Sequence, residues 1–367
     1  MNRYSHLLRW PCILLWSGLL VIGLWPFNFY PNNNVTWIQS CDGLHFEKYG
    51  QVCSTDTWAL NKNNGTTDLS FTIELWVRPA EARHPQESAI LSIYDQSTGH
   101  SLSIGQSGSD LILEGRFRTD SGTHEHQLRL YDACHSGYPV FVTIASSDDG
   151  TRAYVNGKLQ QPQPYPIFPV RYVGRLLLGH APEGQNAWTG DILGLAVYGR
   201  GLATDEVAQD YQHWPLHKAD LLPARRALYT FDERAGNIAH NRVGSAPDLY
   251  IEPKFRPLRA TVLALPHPIR LHRIDTVLNI LGFFPLGFVV CAYLQTTQQP
   301  THKAVIGAII VGVTTSLGVE LLQVFLPSRD SSLLDLINNV VGTSMGALFE
   351  AQVHNRWLRC VYACFET

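Results

Sequence analysis

Residues 316–342 read SLGVELLQVFLPSRDSSLLDLINNVVG, and how this stretch is read decides the fold. Two apolar runs meet at Pro327, as the end of one membrane helix and the start of the next would. Yet Glu320, Gln323, Arg329, Asp335 and Asn339 lie inside the runs or at their edges. An ionisable side chain at mid-bilayer costs about 2.5–3.5 kcal/mol on insertion scales, and less toward the interface. Such groups are therefore expected to face one another or a wet cavity.

Working outward, four segments are long and apolar. They are 9–31 (RWPCILLWSGLLVIGLWPFNFYP), 274–294, 304–326 and 333–353. Each has the roughly 20 residues needed to cross about 30 Å of hydrocarbon. The first reads as a retained anchor, because WPFNFYPNN is a poor cleavage site for a signal peptide. Trp10, Trp25, Phe27 and Tyr30 suit membrane interfaces. Small residues run through the other three, and Gly342 with Gly346 forms a small-xxx-small pair that lets helices approach closely.

Arg3 and Arg9, Lys303, and Arg356 with Arg359 flank the segments on one side of a four-helix topology. The positive-inside rule makes that side cytoplasmic, although Arg270 and Arg273 oppose it. In this topology Asp275, Asn279, Glu320, Gln323, Arg329, Asp335 and Asn339 all fall at the outer membrane face. The spacing agrees, since Asp275 to Asn279 and Asp335 to Asn339 are i,i+4 and Glu320 to Gln323 is i,i+3. Two readings stay open, a polar pocket facing the outer leaflet and interhelical glue with Arg329 neutralising an acid. Glu320 and Asp335 are the candidate acid or base if the cluster does chemistry.

The region between the first two segments is polar and patterned as strands. LSFTIELWVRP (69–79) alternates, with Phe71, Ile73, Leu75 and Val77 on one face. DDGT and VNGK are hairpin turns by composition. Many short strands separated by turn residues indicate a sandwich or barrel. FTIELWVRP, FVTIASSDDGTRAYVNGKL, LLLGHA and WTGDILGLAVYGRGLATDEVAQDY together resemble the LamG-like jelly roll of the concanavalin A-like lectin and glucanase group. The resemblance implies a short helix after GRGLATDE, for which Thr204 is a credible N-cap. It also implies recognition of a glycan or protein, and allows calcium at turn acids such as Asp148 and Asp149. No loop has EF-hand spacing.

Glu74, Asp110, Glu114 and Asp191 read as solvated strand faces rather than a glycosidase pair. Trp58, Trp76 and Trp188 read as core more readily than as sugar platforms. Of seven cysteines, Cys41 and Cys53 are the candidates for a disulfide in an oxidising compartment, leaving Cys134 over. No metal site is expected.

DTVLNILGFFPLG (275–287) followed by residues 316–346 resembles the VanZ-like membrane family. Its pattern is matched here by Asp275, Asn279, Phe283, Pro285 and Gly287, then Glu320, Gln323, Arg329, Asp335, Asn339 and Gly342. The resemblance implies a bacterial cell-envelope protein and carries no agreed activity.

The expected organisation is a helix over 1–31, a LamG-like sandwich over 32–260, VanZ-like helices over 261–353 and a cytoplasmic tail over 354–367. The fold class is four transmembrane helices plus an extracytoplasmic all-β jelly roll. A net charge of −3 argues against nucleic acid, which favours a concentrated basic face. The expected partners are the lipid bilayer and an extracytoplasmic glycan, lipid-linked glycan or envelope protein. The expected location is the bacterial inner membrane, with both termini cytoplasmic. The leading reading is a binding protein. The alternatives are a membrane-embedded enzyme acting on a lipid-linked glycan or phosphate, and a structural scaffold.

Overall fold

The computed structural model describes residues 3–365 apart from 61–68, 82–83, 161, 171–172, 185–186, 215–224, 245, 260–261 and 265–272. The chain divides into two compact units. One is Pro31–Arg259, and the other joins Met1–Tyr30 to Ala260–Thr367.

The first unit is a sandwich of two antiparallel sheets. One sheet has the order β1 (Val35–Trp37), β2 (Leu44–Phe46), β14 (Gly190–Tyr198), β5 (Phe71–Pro79), β10 (Val140–Ser147), β11 (Gly150–Val155) and β12 (Lys158–Leu159). Strand β15 (Arg225–Tyr229) adds to β14. The other sheet has the order β16 (Ile238–Ala239), β17 (Leu249–Tyr250), β3 (Val52–Ser54), β13 (Val173–Leu178), β6 (His84–Tyr94), β7 (Ser101–Gly108), β8 (Asp110–Thr119) and β9 (Gly122–Leu130). Strand β4 (Trp58–Ala59) pairs with β13.

Alternation decides what lies between the sheets. Phe71, Ile73, Leu75 and Val77 of β5 are fully buried there with Val142, Ile144, Leu195 and Val197. Trp188 is buried with them, and its indole N–H donates to Gln106 Oε1 at 2.9 Å. Trp58 is also buried, so two of the three tryptophans lie in the interior. The VNGK turn has the two left-handed residues that a tight hairpin requires, Asn156 (φ 51°) and Gly157 (φ 73°). The segment after residue 224 closes the sandwich, since β15 extends one sheet and β16 and β17 extend the other.

The opposite face of β5 carries Thr72, Glu74 and Trp76. It is covered by α2 (Thr204–His213), which buries Val207 and Asp210 against Phe141, Tyr154 and Tyr198. Thr204 is the first helical residue rather than the N-cap. The N-cap is Ala203, whose N–H donates to Glu206 Oε2 at 2.9 Å.

The second unit contains α1 (Arg3–Leu24), α3 (Arg273–Thr296), α4 (Thr301–Gln323) and α5 (Leu333–Phe365). Contacts advance together along α3 and α5, from Asn279–Asp335 to Gln295–Glu350, so these helices run parallel. Trp16–Thr315 and Gly23–Val319 likewise place α1 parallel to α4. The N-termini of α3 and α5 therefore share one end of the bundle with the C-termini of α1 and α4.

Glycine sets the α3–α5 distance. A Cβ on Gly342 would lie 2.3 Å from the Ile280 carbonyl oxygen, and one on Gly346 would lie 2.0 Å from that of Phe284. A Cβ on Gly287 would meet the Thr343 carbonyl at 2.0 Å. Only hydrogen fits at these crossings.

Several boundaries differ from expectation. Helix α1 ends at Leu24, just before Pro26, which cannot supply the N–H that would continue it. Helix α5 runs on to Phe365, so the segment expected as a tail continues the helix. Among the described residues two helices, not four, are long and apolar enough to cross a membrane: Ile274–Thr296 (mean hydropathy 2.1) and Thr301–Gln323 (2.0). The apolar run of α1, Leu8–Leu24, is shorter. Asp335, Asn338, Asn339 and Glu350 break the apolarity of α5.

Candidate functional site

The local sequence of the 316–342 stretch explains its geometry. Helix α4 ends at Gln323 with Val324 as its C-cap, and Ser332 opens α5 as its N-cap, with Asp335 N donating to Ser332 Oγ at 3.4 Å. In a capping box the third helical residue would accept the N-cap N–H. Here Glu320 of α4 takes that role, and Ser332 N donates to Glu320 Oε2 at 2.8 Å. Asp335 is thereby released to accept from Asn279 Nδ2 of α3 at 2.7 Å. One turn further along α5, Asn339 Nδ2 donates to Ser316 Oγ of α4 at 2.9 Å.

All seven residues singled out in the sequence meet at this end of the bundle, in different environments. Glu320, Gln323 and Asn339 are buried, Asn279 and Asp335 are half-buried, and Asp275 and Arg329 are exposed. Asp335 lies within electrostatic reach of Glu320, Asp275 and Asp330.

Among the described residues Arg329 pairs with no acid. Its Nε donates to the Trp25 carbonyl at 3.1 Å and its Nη2 to that of Ile22 at 3.4 Å. Gln323 Nε2 donates to the Gly23 carbonyl at 2.8 Å. The last carbonyls of a helix lack intrahelical donors and carry partial negative charge, so a guanidinium is well placed there. Arg329 and Gln323 thus bind the end of α1.

A second polar contact lies toward the other end, where Gln295 Nε2 donates to buried Glu350 Oε2 at 2.7 Å. Sequence reasoning missed it. The available signal was one polar side chain in each of two apolar helices, and nothing in the sequence pairs them. Between the two ends Phe283, Leu286, Val290, Ala308 and Ala347 pack as an apolar layer.

Three of the four sandwich acids singled out, Asp191, Asp110 and Glu114, have a basic partner. Asp191 accepts from Arg78 Nε at 2.7 Å and contacts His45 Nδ1 at 2.6 Å. Asp110 pairs with Arg129 at 3.0 Å. Glu114 and Glu125 flank the Arg116 guanidinium at 3.8 and 3.5 Å.

Glu74 is not on a solvated face. It is fully buried beneath α2, beside Asp210 and Tyr198. Tyr198 Oη donates to Asp210, and Arg225 donates Nε to Tyr198 Oη at 2.6 Å and Nη2 to Asp210 at 3.2 Å. Burial, and then the charge of Asp210, push the Glu74 carboxyl well above the usual range. Neither oxygen of Glu74 has a partner at hydrogen-bond geometry.

The Cys41–Cys53 disulfide does not form. Both are free thiols, because Cys41 lies in the β1–β2 turn of one sheet while Cys53 lies on β3 of the other. Burial pushes the Cys53 thiol to about 11, against a hydrogen bond from Gln51. Asp148 and Asp149 are exposed at the β10–β11 turn. Among the described residues, no group of three or more His, Cys, Asp or Glu is arranged to hold a metal.

One cleft of about 350 Å³ opens on the sandwich, between the 95–100 loop and the start of β13. Tyr94, Asp95, Ser97, Val173, Arg175 and Leu258 line it, with Thr57 and Gln96.

These features define a lectin-like sandwich placed in the chain between the first and second helices of a small bundle with a polar end. The comparisons agree with both parts. The concanavalin A-like lectin/glucanases superfamily matches residues 52–208, and the VanZ/LLP1 family matches residues 224–351. The chain therefore carries a concanavalin A-like domain and a VanZ-like domain. The VanZ match begins at β15, so its first part lies within the sandwich unit.

No curated protein matches the chain. Among solved structures, a heptameric SAP-like pentraxin from Limulus polyphemus is 15 % identical with a TM-score of 0.34, over 50 % of this chain and 80 % of the pentraxin. The receptor binding domain of botulinum neurotoxin D is 16 % identical with a TM-score of 0.33, over 57 % of this chain and 50 % of that one. The binding domain of botulinum neurotoxin DC in complex with SialylT is 15 % identical with a TM-score of 0.35, over 49 % and 44 %. The chain spans half or less of these neurotoxin domains.

Proposed function

We propose that this is an integral membrane protein of the bacterial cell envelope that presents its sandwich to an extracytoplasmic glycan or protein. One observation carries the membrane reading, the inverted polarity of the helical unit. Ile274, Leu278 and Leu281 on α3, Ile306 and Ile310 on α4, Leu14 and Ile22 on α1, and Val341, Leu348 and Phe349 on α5 are all exposed. Glu320, Asn339, Ser316 and Thr343 are buried between the helices. In water the free-energy gradient favours the reverse arrangement, whereas lipid favours this one. The same outward faces on α1 and α5 support all four helices sharing the bilayer. The basic flanks then put both chain termini in the cytoplasm and residues 31–259 outside.

In this reading the polar end is first a lock between helices. Glu320, Gln323 and Arg329 each hold a helix end, while Asp275, Asn279 and Asp335 form the accessible edge that meets a ligand. The bilayer is one partner, and a lipid-linked glycan is the ligand class that would reach this edge. The second reading is chemistry on such a substrate, favoured by the proximity of the Glu320 and Asp335 carboxyl groups.

Carbonate extraction should leave the chain in the membrane pellet, and protease added outside spheroplasts should remove the sandwich. Release by carbonate would end the membrane reading. Protection of the sandwich would reverse the orientation.

A further inference from the structure

We propose that the cleft beside the 95–100 loop is the ligand site of the sandwich, and that it takes an acidic saccharide whose carboxylate reaches Arg175. The inference rests on the glycan-recognition reading above and assigns its site and ligand charge.

Among the described residues Arg175 has no counter-ion. Arg175 on β13 is half-buried and donates Nη2 to the Ser54 carbonyl at 3.0 Å. Its Nε is buried without a partner, and among the described residues it forms no ion pair with a carboxylate. A guanidinium has five donors in a planar fork suited to a carboxylate. A buried N–H without a partner is costly, and the guanidinium that carries this one lines the cleft, where a ligand can meet it.

The nearest acid on the cleft wall does not complete it. Asp95 accepts from Ser97 N at 2.8 Å, Ser97 Oγ at 2.7 Å and Thr98 Oγ1 at 2.7 Å, so its carboxylate is used by its own loop. Burial raises the Asp95 carboxyl, and the Ser97 and Thr98 bonds outweigh that and hold it below the usual range. These bonds hold the loop in its shape without a ligand, which lowers the ordering cost of binding.

The rest of the lining fits a sugar. Tyr94, Val173 and Leu258 give the cleft an apolar wall against which the C–H face of a pyranose ring can lie, and Tyr94 is backed by buried Leu177 and Cys53. Ser97, Thr57 and Gln96 stand at the rim as hydroxyl and amide partners. A volume of about 350 Å³ is at the small end of ligand sites and suits one or two sugar residues.

The test uses the full chain in detergent micelles and titration calorimetry with trigalacturonate, its carboxyl-reduced analogue and a panel of neutral oligosaccharides. Saturable binding of trigalacturonate is expected, with at least tenfold weaker binding of the reduced analogue. Arg175→Gln should weaken trigalacturonate at least tenfold. Arg118→Gln, an exposed arginine on β8, should leave it unchanged. Gln96→Trp, on the exposed loop, should block the cleft without touching Arg175 and covers the case in which Arg175→Gln misfolds. Equal affinity for the reduced analogue, or full affinity in Gln96→Trp, overturns the proposal. Binding of neutral glycans alone overturns it too, while leaving glycan recognition standing. No binding of any oligosaccharide removes both.

Discussion

Asn279 on α3 donates its amide to the Asp335 carboxylate on α5 across 2.7 Å, at the end of the bundle where both helices begin. The bond is possible because Glu320, from a third helix, caps Ser332 in place of Asp335. Three helices are therefore joined by two carboxylates, with Glu320 taking the capping role that Asp335 would have in an isolated helix. Asn279→Leu should destabilise the helical unit by about 1.5–3 kcal/mol, the usual worth of a hydrogen bond to a charged group. Asp335→Asn, which keeps an acceptor, should lose less. Thermal unfolding in detergent, read by far-UV circular dichroism, checks the ranking.

Glu320 separates the lock from the catalytic reading. Glu320→Gln retains an acceptor for Ser332 N, so the chain should fold and insert normally. Glu320→Ala leaves that N–H without its partner and should cost about 1–3 kcal/mol. If Glu320→Gln folds like the parent and also supports the cellular role, carboxylate chemistry at Glu320 is excluded. If it folds and the role is lost, the enzyme reading gains over the lock.

Part of this site was legible in the sequence, for a physical reason. Helical spacing puts Asp275 with Asn279, and Asp335 with Asn339, on single faces, and alternating helix direction brings those faces to one end. The partner of Arg329 was not legible, because backbone carbonyls at the end of α1 leave no mark in side-chain identity. Glu74 was misread for a related reason. Alternation on β5 correctly sent it to the face opposite Ile73 and Leu75, but strand pattern alone does not reveal that α2 covers that face. Cys41 and Cys53 are close in sequence, yet the chain crosses from one sheet to the other between them.

The glycines of α5 give a steric prediction. Gly346→Ala places a Cβ 2.0 Å from the Phe284 carbonyl oxygen, so α3 and α5 must separate. Overpacking of this kind costs typically about 1–3 kcal/mol, and more where backbone rather than a side chain must move. Gly318→Ala on α4 meets nothing within 4 Å and should be neutral or slightly stabilising. Unfolding in detergent should separate the two variants clearly. Equal stability would contradict the close α3–α5 contact.

Thiol chemistry tests the sandwich topology. Cys41 is half-exposed and should alkylate readily in the native protein. Cys53 and Cys134 are buried, and burial pushes their thiols to about 11 and about 12, so both should react slowly at pH 8. After unfolding without reductant all three should alkylate, which mass spectrometry reads directly. A mass consistent with a Cys41–Cys53 bridge would require β3 and the β1–β2 turn to lie together.

The buried acid under α2 makes the sandwich lose stability as pH rises. Burial and the charge of Asp210 raise the Glu74 carboxyl in the folded protein above its unfolded value of about 4.3. The folded state then keeps a proton that the unfolded chain has already released. The linked stability is complete below the unfolded value and declines as pH rises through the folded one. Glu206 has the opposite sign. Arg200 grips both its oxygens at 2.7 Å and holds its carboxyl below the usual range, so its contribution is complete above the unfolded value and is lost as pH falls. Glu74→Gln should therefore flatten the alkaline limb of the sandwich's melting profile and leave the acid limb in place. Glu206→Gln should act on the acid limb alone. Near-UV circular dichroism of the full chain, melted across the pH range, reads both limbs. An unchanged alkaline limb in Glu74→Gln would mean that the proton sits elsewhere in the Tyr198–Asp210–Arg225 network.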